Sequence, residues 1–331
     1  MRVLAGLLLA GLASTAAAAL PAHVPEPREQ LAEANAALQA GEADKALALL
    51  NSLAQPGGSA EAYNLRCRVE YTLENWGQAA NDCEQAVKLD GQNSDDHLWL
   101  GRALGEKASR ASFLNAYSLA KRTRVEFEEA VRLNPRNVDA LASLCEFYYT
   151  APGVLGGGID KSETVAAQLE KIDPARAHEL RGNIAEHRKD YGTAERELKQ
   201  AIAGSPHPAF QWMTLANFYR RRERFTEMET AVRSGENAAK RDRHAGVALF
   251  NGASLLRDTS RDPARAAKML EDYLGGYAKT EEGPAFVAHT WLALLKQQLG
   301  DTEAANRERA AALALAHEYK PALEMKQELK H

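Results

Sequence analysis

One spacing recurs along this chain and constrains its fold more than any other feature. Tyr191, Ala194, Leu198, Ala201 and Pro206 place large and small apolar residues on one helical face and close it with a proline turn. Trp76, Ala79, Cys83, Ala86 and Gly91 fall at the same offsets, and Phe127, Ala130 and Pro135 repeat the later part of the window. A unit of roughly 34 residues built this way predicts paired helices. A hairpin of that size cannot bury its own apolar face, so the units must stack.

The chain has 331 residues and a net charge of −4, with both signs interspersed. No block of like charge marks a nucleic-acid footprint. At the start, Arg2 precedes an apolar run, Val3 to Ala13, too short to span a bilayer, and Ala17 and Ala19 stand at signal-peptidase positions. Residues 1–19 are therefore expected to be a cleaved secretory signal, and the mature protein to be periplasmic or secreted with no membrane span. Residues 20–27, with Pro21, Pro25 and Pro27, read as a stiff linker, and 28–331 as the repeat array. Export implies an oxidising compartment, yet there are only three cysteines, too few for a disulfide framework. Cys67 and Cys83 fall on the two helices of one hairpin. A bridge and two small buried thiols are both compatible with that placement.

About eight hairpins follow, and the tail from Tyr319 reads as a capping helix. Two units depart from the standard length. In the third, a stretch near 106–120 delays the closing Phe127-to-Pro135 sequence. It carries Phe113, Leu114 and Tyr117 at helical spacing behind Ser112, a candidate N-cap. In the fourth, Ala151 to Gly158 replaces a tight turn.

From Tyr63 to Gly300 these residues resemble the tetratricopeptide repeat family over nearly the whole mature length. The resemblance implies an all-α fold, a right-handed superhelix of about eight helical hairpins plus a C-terminal capping helix. It also implies that the first helix of each unit lines a concave, partner-binding surface. Projected onto that surface, the candidate partner-binding residues are Asn64, Arg68, Tyr71, Arg102, Glu146, Tyr149, Asn183, His187, Asn217 and Arg220. Polar groups mixed with tyrosine suit an extended peptide. The Pro152-Gly-x-x-Gly-Gly loop, within Phe147 to Pro174, resembles a variant found in exported bacterial repeat proteins, among them the ligand-binding T component of some TRAP transporters. Both irregular units project from one edge of such a solenoid, so Phe113, Tyr117, Tyr148, Leu155 and Lys161 are expected to build an edge pocket there.

Catalytic and cofactor signals are absent from the sequence. Gly153 to Ser162 imitates a phosphate loop, but Ile159 and Asp160 intervene before Lys161-Ser162 and no strand precedes it. There is no H-E-x-x-H, C-x-x-C or G-x-S-x-G. No cofactor and no metal are expected. The sequence therefore reads as a non-enzymatic exported scaffold for a protein or peptide. The alternative is a periplasmic small-ligand-binding accessory protein of a transporter. A hydrolase carrying the repeats as a platform finds no room for a separate catalytic domain.

Overall fold

The computed structural model describes residues 26–242 and 244–328, so the expected signal at 1–19 and most of the linker at 20–27 lie outside the described residues. Among the described residues there is no strand, and no helix is long and apolar enough to cross a membrane. Eight hairpins succeed one another. They are α1 (Pro27–Ala40) with α2 (Ala43–Leu53), α3 (Ala60–Thr72) with α4 (Trp76–Leu89), and α5 (Ser94–Ser109) with α6 (Phe113–Leu133). Then come α7 (Val138–Thr150) with α8 (Ile159–Glu170), α9 (Pro174–His187) with α10 (Tyr191–Gly204), and α11 (Pro208–Arg221) with α12 (Phe225–Ala239). The last two are α13 (Gly246–Asp258) with α14 (Pro263–Gly276) and α15 (Ala285–Gln298) with α16 (Thr302–Leu315), and α17 (Lys320–Glu328) caps the stack.

Local chemistry sets these boundaries. The Ser59, Asn137, Asp173, Asp190 and Asp301 side chains each accept a first-turn N–H at a helix start. Such caps contribute about 1 kcal/mol each. Prolines open α1, α9, α11 and α14, where a missing N–H does no harm. In several of the hairpins the chain turns between the helices through one left-handed residue. It is Glu74 in the second unit, Lys189 in the fifth, Glu223 in the sixth and Gly300 in the eighth.

Within and between hairpins, small residues let the backbones approach. A β-carbon at Gly101 would lie 2.5 Å from the Phe127 ring, so this glycine is what admits the phenylalanine between α5 and α6. The second hairpin is also stapled covalently: Cys67 and Cys83, with Cα atoms 5.4 Å apart, form a disulfide between α3 and α4. Cys145 remains a free buried thiol whose Sγ donates to the Ser162 carbonyl. Burial pushes its pKa up to about 12.

The two irregular units differ from expectation in form. The stretch near 106–120 makes no element of its own; it lengthens α5 to 16 residues and α6 to 21. Nothing between Phe113 and Leu133 breaks a helix, so the turn is simply displaced outward. The segment 151–158 forms a short 3-10 turn, Gly153–Leu155, folded tightly on itself. The N–H groups of Leu155, Gly156, Gly157 and Gly158 donate to the carbonyls of Pro152, Gly153, Pro152 and Tyr148 respectively. Lys161 Nζ donates to the Gly156 carbonyl at 2.8 Å. The donors that a phosphate cradle would need are consumed inside the loop.

The stack also closes, first hairpin against last. Gly41, left-handed at φ 74°, abuts Ala285; a β-carbon there would fall 2.2 Å from the Ala285 nitrogen. Arg68 grips Glu281 through two bonds of 2.9 and 2.6 Å. Asp44 accepts from the backbone N–H of His317 at 2.9 Å and pairs with its Nδ1 at 2.8 Å. Leu31, Leu38, Tyr63, Phe286 and Tyr319 accordingly belong to one continuous core.

A buried polar pair joins the second and third units: Asn64 Nδ2 donates to Asp96 Oδ1 at 2.7 Å, while Asp96 Oδ2 is buried without a partner. Burial, reinforced by the nearby Asp90 carboxylate, raises the Asp96 pKa to about 7. A protonated carboxyl accounts for the orphaned oxygen, because burying a neutral acid costs less than burying a lone charge.

Two outcomes follow from these contacts. Gly41→Ala is expected to lower stability by roughly 2 kcal/mol or more, combining left-handed strain with the clash. Gly300→Ala, equally left-handed but with open space around its β-position, should show only the strain. Scattering should report an expanded particle for the first variant and not the second. For Asp96, the folded state holds a proton between about pH 4 and 7 that the unfolded chain releases. Its contribution therefore weakens as pH rises through that window. Asp96→Asn should flatten this part of the stability profile relative to wild type, read as denaturation midpoint against pH; an unchanged slope would contradict the assignment.

Candidate functional site

The first helices of hairpins four to seven line one open groove of about 950 Å³. Helix α7 contributes Glu146 and Tyr149, and α9 contributes Arg176, Glu179, Asn183, Glu186 and His187. From α11 come Gln211, Thr214, Asn217, Arg220 and Arg221, and from α13 Asn251, Ser254 and Asp258. Apart from the adjacent pairs Glu186–His187 and Arg220–Arg221, these residues step by three or four within each helix, the spacing that holds side chains on one face. The stacking of unit upon unit then sets four such faces side by side.

Part of the charge in the groove is arranged in closed pairs. Arg176 Nη1 lies 2.5 Å from Glu179 Oε1, and Thr214 Oγ1 donates to the same oxygen. Burial works against the Arg176 charge, but Glu179 outweighs it and the pKa is raised. Arg221 binds Glu186 through two bonds of 2.9 and 2.5 Å, which raises the Arg221 pKa despite burial. Arg222 approaches the same carboxylate and stacks on Tyr191. Tyr149 packs against the His187 ring at 5.8 Å, and burial drives its phenol upward. Arg220 differs from these arginines: its Nε donates to Asn217 Oδ1 at 2.9 Å and, among the described residues, no carboxylate pairs with it. The Gln211 carbonyl oxygen is buried in the wall without a partner.

The ten residues projected from the sequence divide between two places. Glu146, Tyr149, Asn183, His187, Asn217 and Arg220 meet in the groove. The other four lie on α3 and α5 and are engaged with the protein itself. Asn64 is buried on Asp96, and Arg68 is held by Glu281. Tyr71 sits edge-on between Trp76 and Trp99, and burial raises its pKa to about 12. Arg102 lies 4.7 Å over the Trp99 ring. Asn64 and Tyr71 thus serve contacts between the second and third units, Arg102 lies on the ring that Tyr71 meets, and Arg68 serves the closure.

The expected edge pocket is not assembled as one site. Tyr148, Leu155 and Lys161 come together: the Tyr148 hydroxyl donates to Glu128, the Lys161 ammonium lies 5.2 Å over the Tyr148 ring, and Leu155 closes the short turn beside them. Phe113 and Tyr117 stand apart on the first turns of α6. Phe113 precedes Arg124, the residue under Gly156, by about 16 Å of helix. At 84 % exposure Phe113 touches little.

Several groove residues were not anticipated: Arg176, Glu179, Glu186, Gln211, Thr214, Arg221, Asn251, Ser254 and Asp258. A signal for most of them was present. Stepping three, four or seven residues from Asn183 and Asn217 reaches Arg176, Glu179, Glu186, Thr214 and Arg221, and one repeat of roughly 34 residues beyond Asn217 stands Asn251. The loosely patterned seventh unit hid the last of these. Among the described residues no group of three or more His, Cys, Asp or Glu is placed to hold a metal ion.

No family model and no curated protein matches the sequence. Solved structures do. A thermophilic TPR protein of Thermus thermophilus is 16% identical, with 58% of this chain and 98% of its own covered and a TM-score of 0.49. A tetratricopeptide repeat protein of Parabacteroides merdae is 12% identical over 92% of this chain and 99% of its own, with a TM-score of 0.45. The C-terminal part of a TPR repeat-containing protein of Cytophaga hutchinsonii is 16% identical over 89% and 98%, with a TM-score of 0.41. At these identities the likeness is one of fold. By its own eight consecutive stacked hairpins and terminal cap, this chain has the fold of a tetratricopeptide repeat solenoid.

Proposed function

We propose that this chain is an exported, non-catalytic scaffold that holds an extended protein segment in the groove of hairpins four to seven. The observation that carries the reading is the row Asn183, Asn217 and Asn251, one from each of three successive first helices, lining a single groove. An asparagine amide both donates and accepts, which matches the N–H and C=O of a peptide backbone without regard to its sequence. Arg220 supplies the specific element. With no carboxylate of its own, it fits an acidic side chain or a terminal carboxylate of the guest. The paired walls, Arg176 with Glu179 and Arg221 with Glu186, hold this surface in shape before the guest arrives.

Export is supported by the first 19 residues of the sequence and by the Cys67–Cys83 disulfide, a bond that persists in oxidising compartments. A small ligand is the second reading, and the groove volume favours it, since about 950 Å³ lies at the upper end of the range such ligands occupy. That reading moves with the groove, away from the insertion edge.

A peptide array spanning acidic, neutral and basic sequences tests the proposal directly. Acidic peptides are expected to bind the mature protein saturably. Arg220→Ala should weaken them roughly tenfold or more, and Asn217→Ala should weaken acidic and neutral peptides alike. Both variants should melt as wild type. Uniform indifference to the array, alongside a metabolite that raises the melting temperature, would transfer the groove to the small-ligand reading.

A further inference from the structure

The α5–α6 turn carries a feature that the groove does not use. Phe113 and Leu114, at 84 % and 80 %, are the most exposed large apolar residues described. They stand at the tip of the longest helix, on a hairpin lengthened beyond its neighbours. Tyr117 and Val125, also exposed, continue the Phe113 face at steps of four, with Lys121 between them. The opposite face of α6 is anchored in the core through Thr123 and Phe127, so the tip is held outward on a rigid support.

The stretch of chain that forms the tip carries charge of one sign. From Lys107 to Val125 the sequence contains no Asp or Glu, and it carries Lys107, Arg110, Lys121, Arg122 and Arg124. Three of these cations are answered by carboxylates from outside the stretch: Arg110 by Glu106, Arg122 by Glu84 and Arg124 by Glu128. Among the described residues Lys107 has no carboxylate partner, and Lys121 has only the Tyr117 ring, 4.6 Å away. Lys121 follows Phe113 by about 12 Å of helix, and Lys107 approaches the turn on α5.

We propose that this tip docks the protein on an anionic lipid surface. The order of chemistry along α6 matches the order of layers in a bilayer interface. Apolar side chains lead, a tyrosine sits one turn behind, and unpaired lysines follow at headgroup depth. A protruding convex tip enters a deformable layer more readily than it forms a complementary pocket for a folded partner. The cations add attraction to anionic headgroups that falls with salt. Two bulky side chains and two free lysines make a reversible contact.

The full mature chain, floated with vesicles of phosphatidylcholine alone or mixed with phosphatidylglycerol, tests this. Binding is expected to the mixed vesicles, to weaken at high salt, and to be slight on phosphatidylcholine alone. Phe113→Asp with Leu114→Asp should reduce it about tenfold or more, and Lys107→Glu with Lys121→Glu severalfold. Phe113 and Leu114 are almost wholly exposed, and neither lysine has an ion pair among the described residues, so the melting temperature should hold, and peptide binding in the groove should be unchanged. Absence of binding to the mixed vesicles overturns the proposal, including the case in which the same tip then captures an acidic protein. Undiminished binding by the Phe113/Leu114 variant overturns it as well.

Discussion

Every hairpin in this protein leaves an apolar face that only another hairpin can cover. The covering requires backbone-to-backbone approach, which is why Ala34, Ala79, Gly101, Ala194 and Ala216 stand where larger residues would hold the helices apart. Large residues then occupy the spaces that remain, as Phe127 does beside Gly101 and Leu198 beside Gly182. This alternation fixes the spacing of the first helices, and the spacing of those helices makes the groove. Replacing a small seam residue would thus disturb the groove without touching it.

A stack that ends in solvent can vary its curvature, whereas this one is fastened at both ends. Arg68 with Glu281, Asp44 with His317, and Gly41 against Ala285 tie the first units to the last. The His317 pair adds a dependence on pH. Its pKa is raised by Asp44, so the charged contact is complete in acid and is lost as pH rises past the histidine's folded value. The two-bond Arg68–Glu281 pair fastens the same seam independently of His317. Curvature fixed in this way limits the change in shape a guest can impose on the groove.

The sequence made the hairpins legible because their period is local. Tyr191 to Pro206 and Trp76 to Gly91 need only their own window to be recognised, and Ser112 announced the start of α6. Closure could not be read, since its partners stand more than two hundred positions apart and no pattern marks Gly41 or Glu281 as a pair. The turns concealed a second feature. Glu74, Lys189 and Glu223 adopt the left-handed conformation that a reader assigns to glycine, held there by the helices on either side. The site was half legible for a related reason. An inward polar residue looks the same in sequence whether a neighbouring unit uses it or leaves it free, so Asn64 and Arg68 were indistinguishable from Asn183 and Arg220.

The distinction between used and free polar groups is what gives the groove its character. Asn64 meets Asp96 because the second and third units bring those two side chains together, and Tyr71 is consumed by two indoles nearby. Farther along, Arg176 and Arg221 are paired with Glu179 and Glu186. In that setting Arg220, bonded to Asn217 rather than to a carboxylate, keeps a field that the paired arginines lose, because paired neighbours cancel at short range. Asn183, Asn217 and Asn251 continue from that point at repeat spacing, and it is on this row that the proposed track for an extended guest rests.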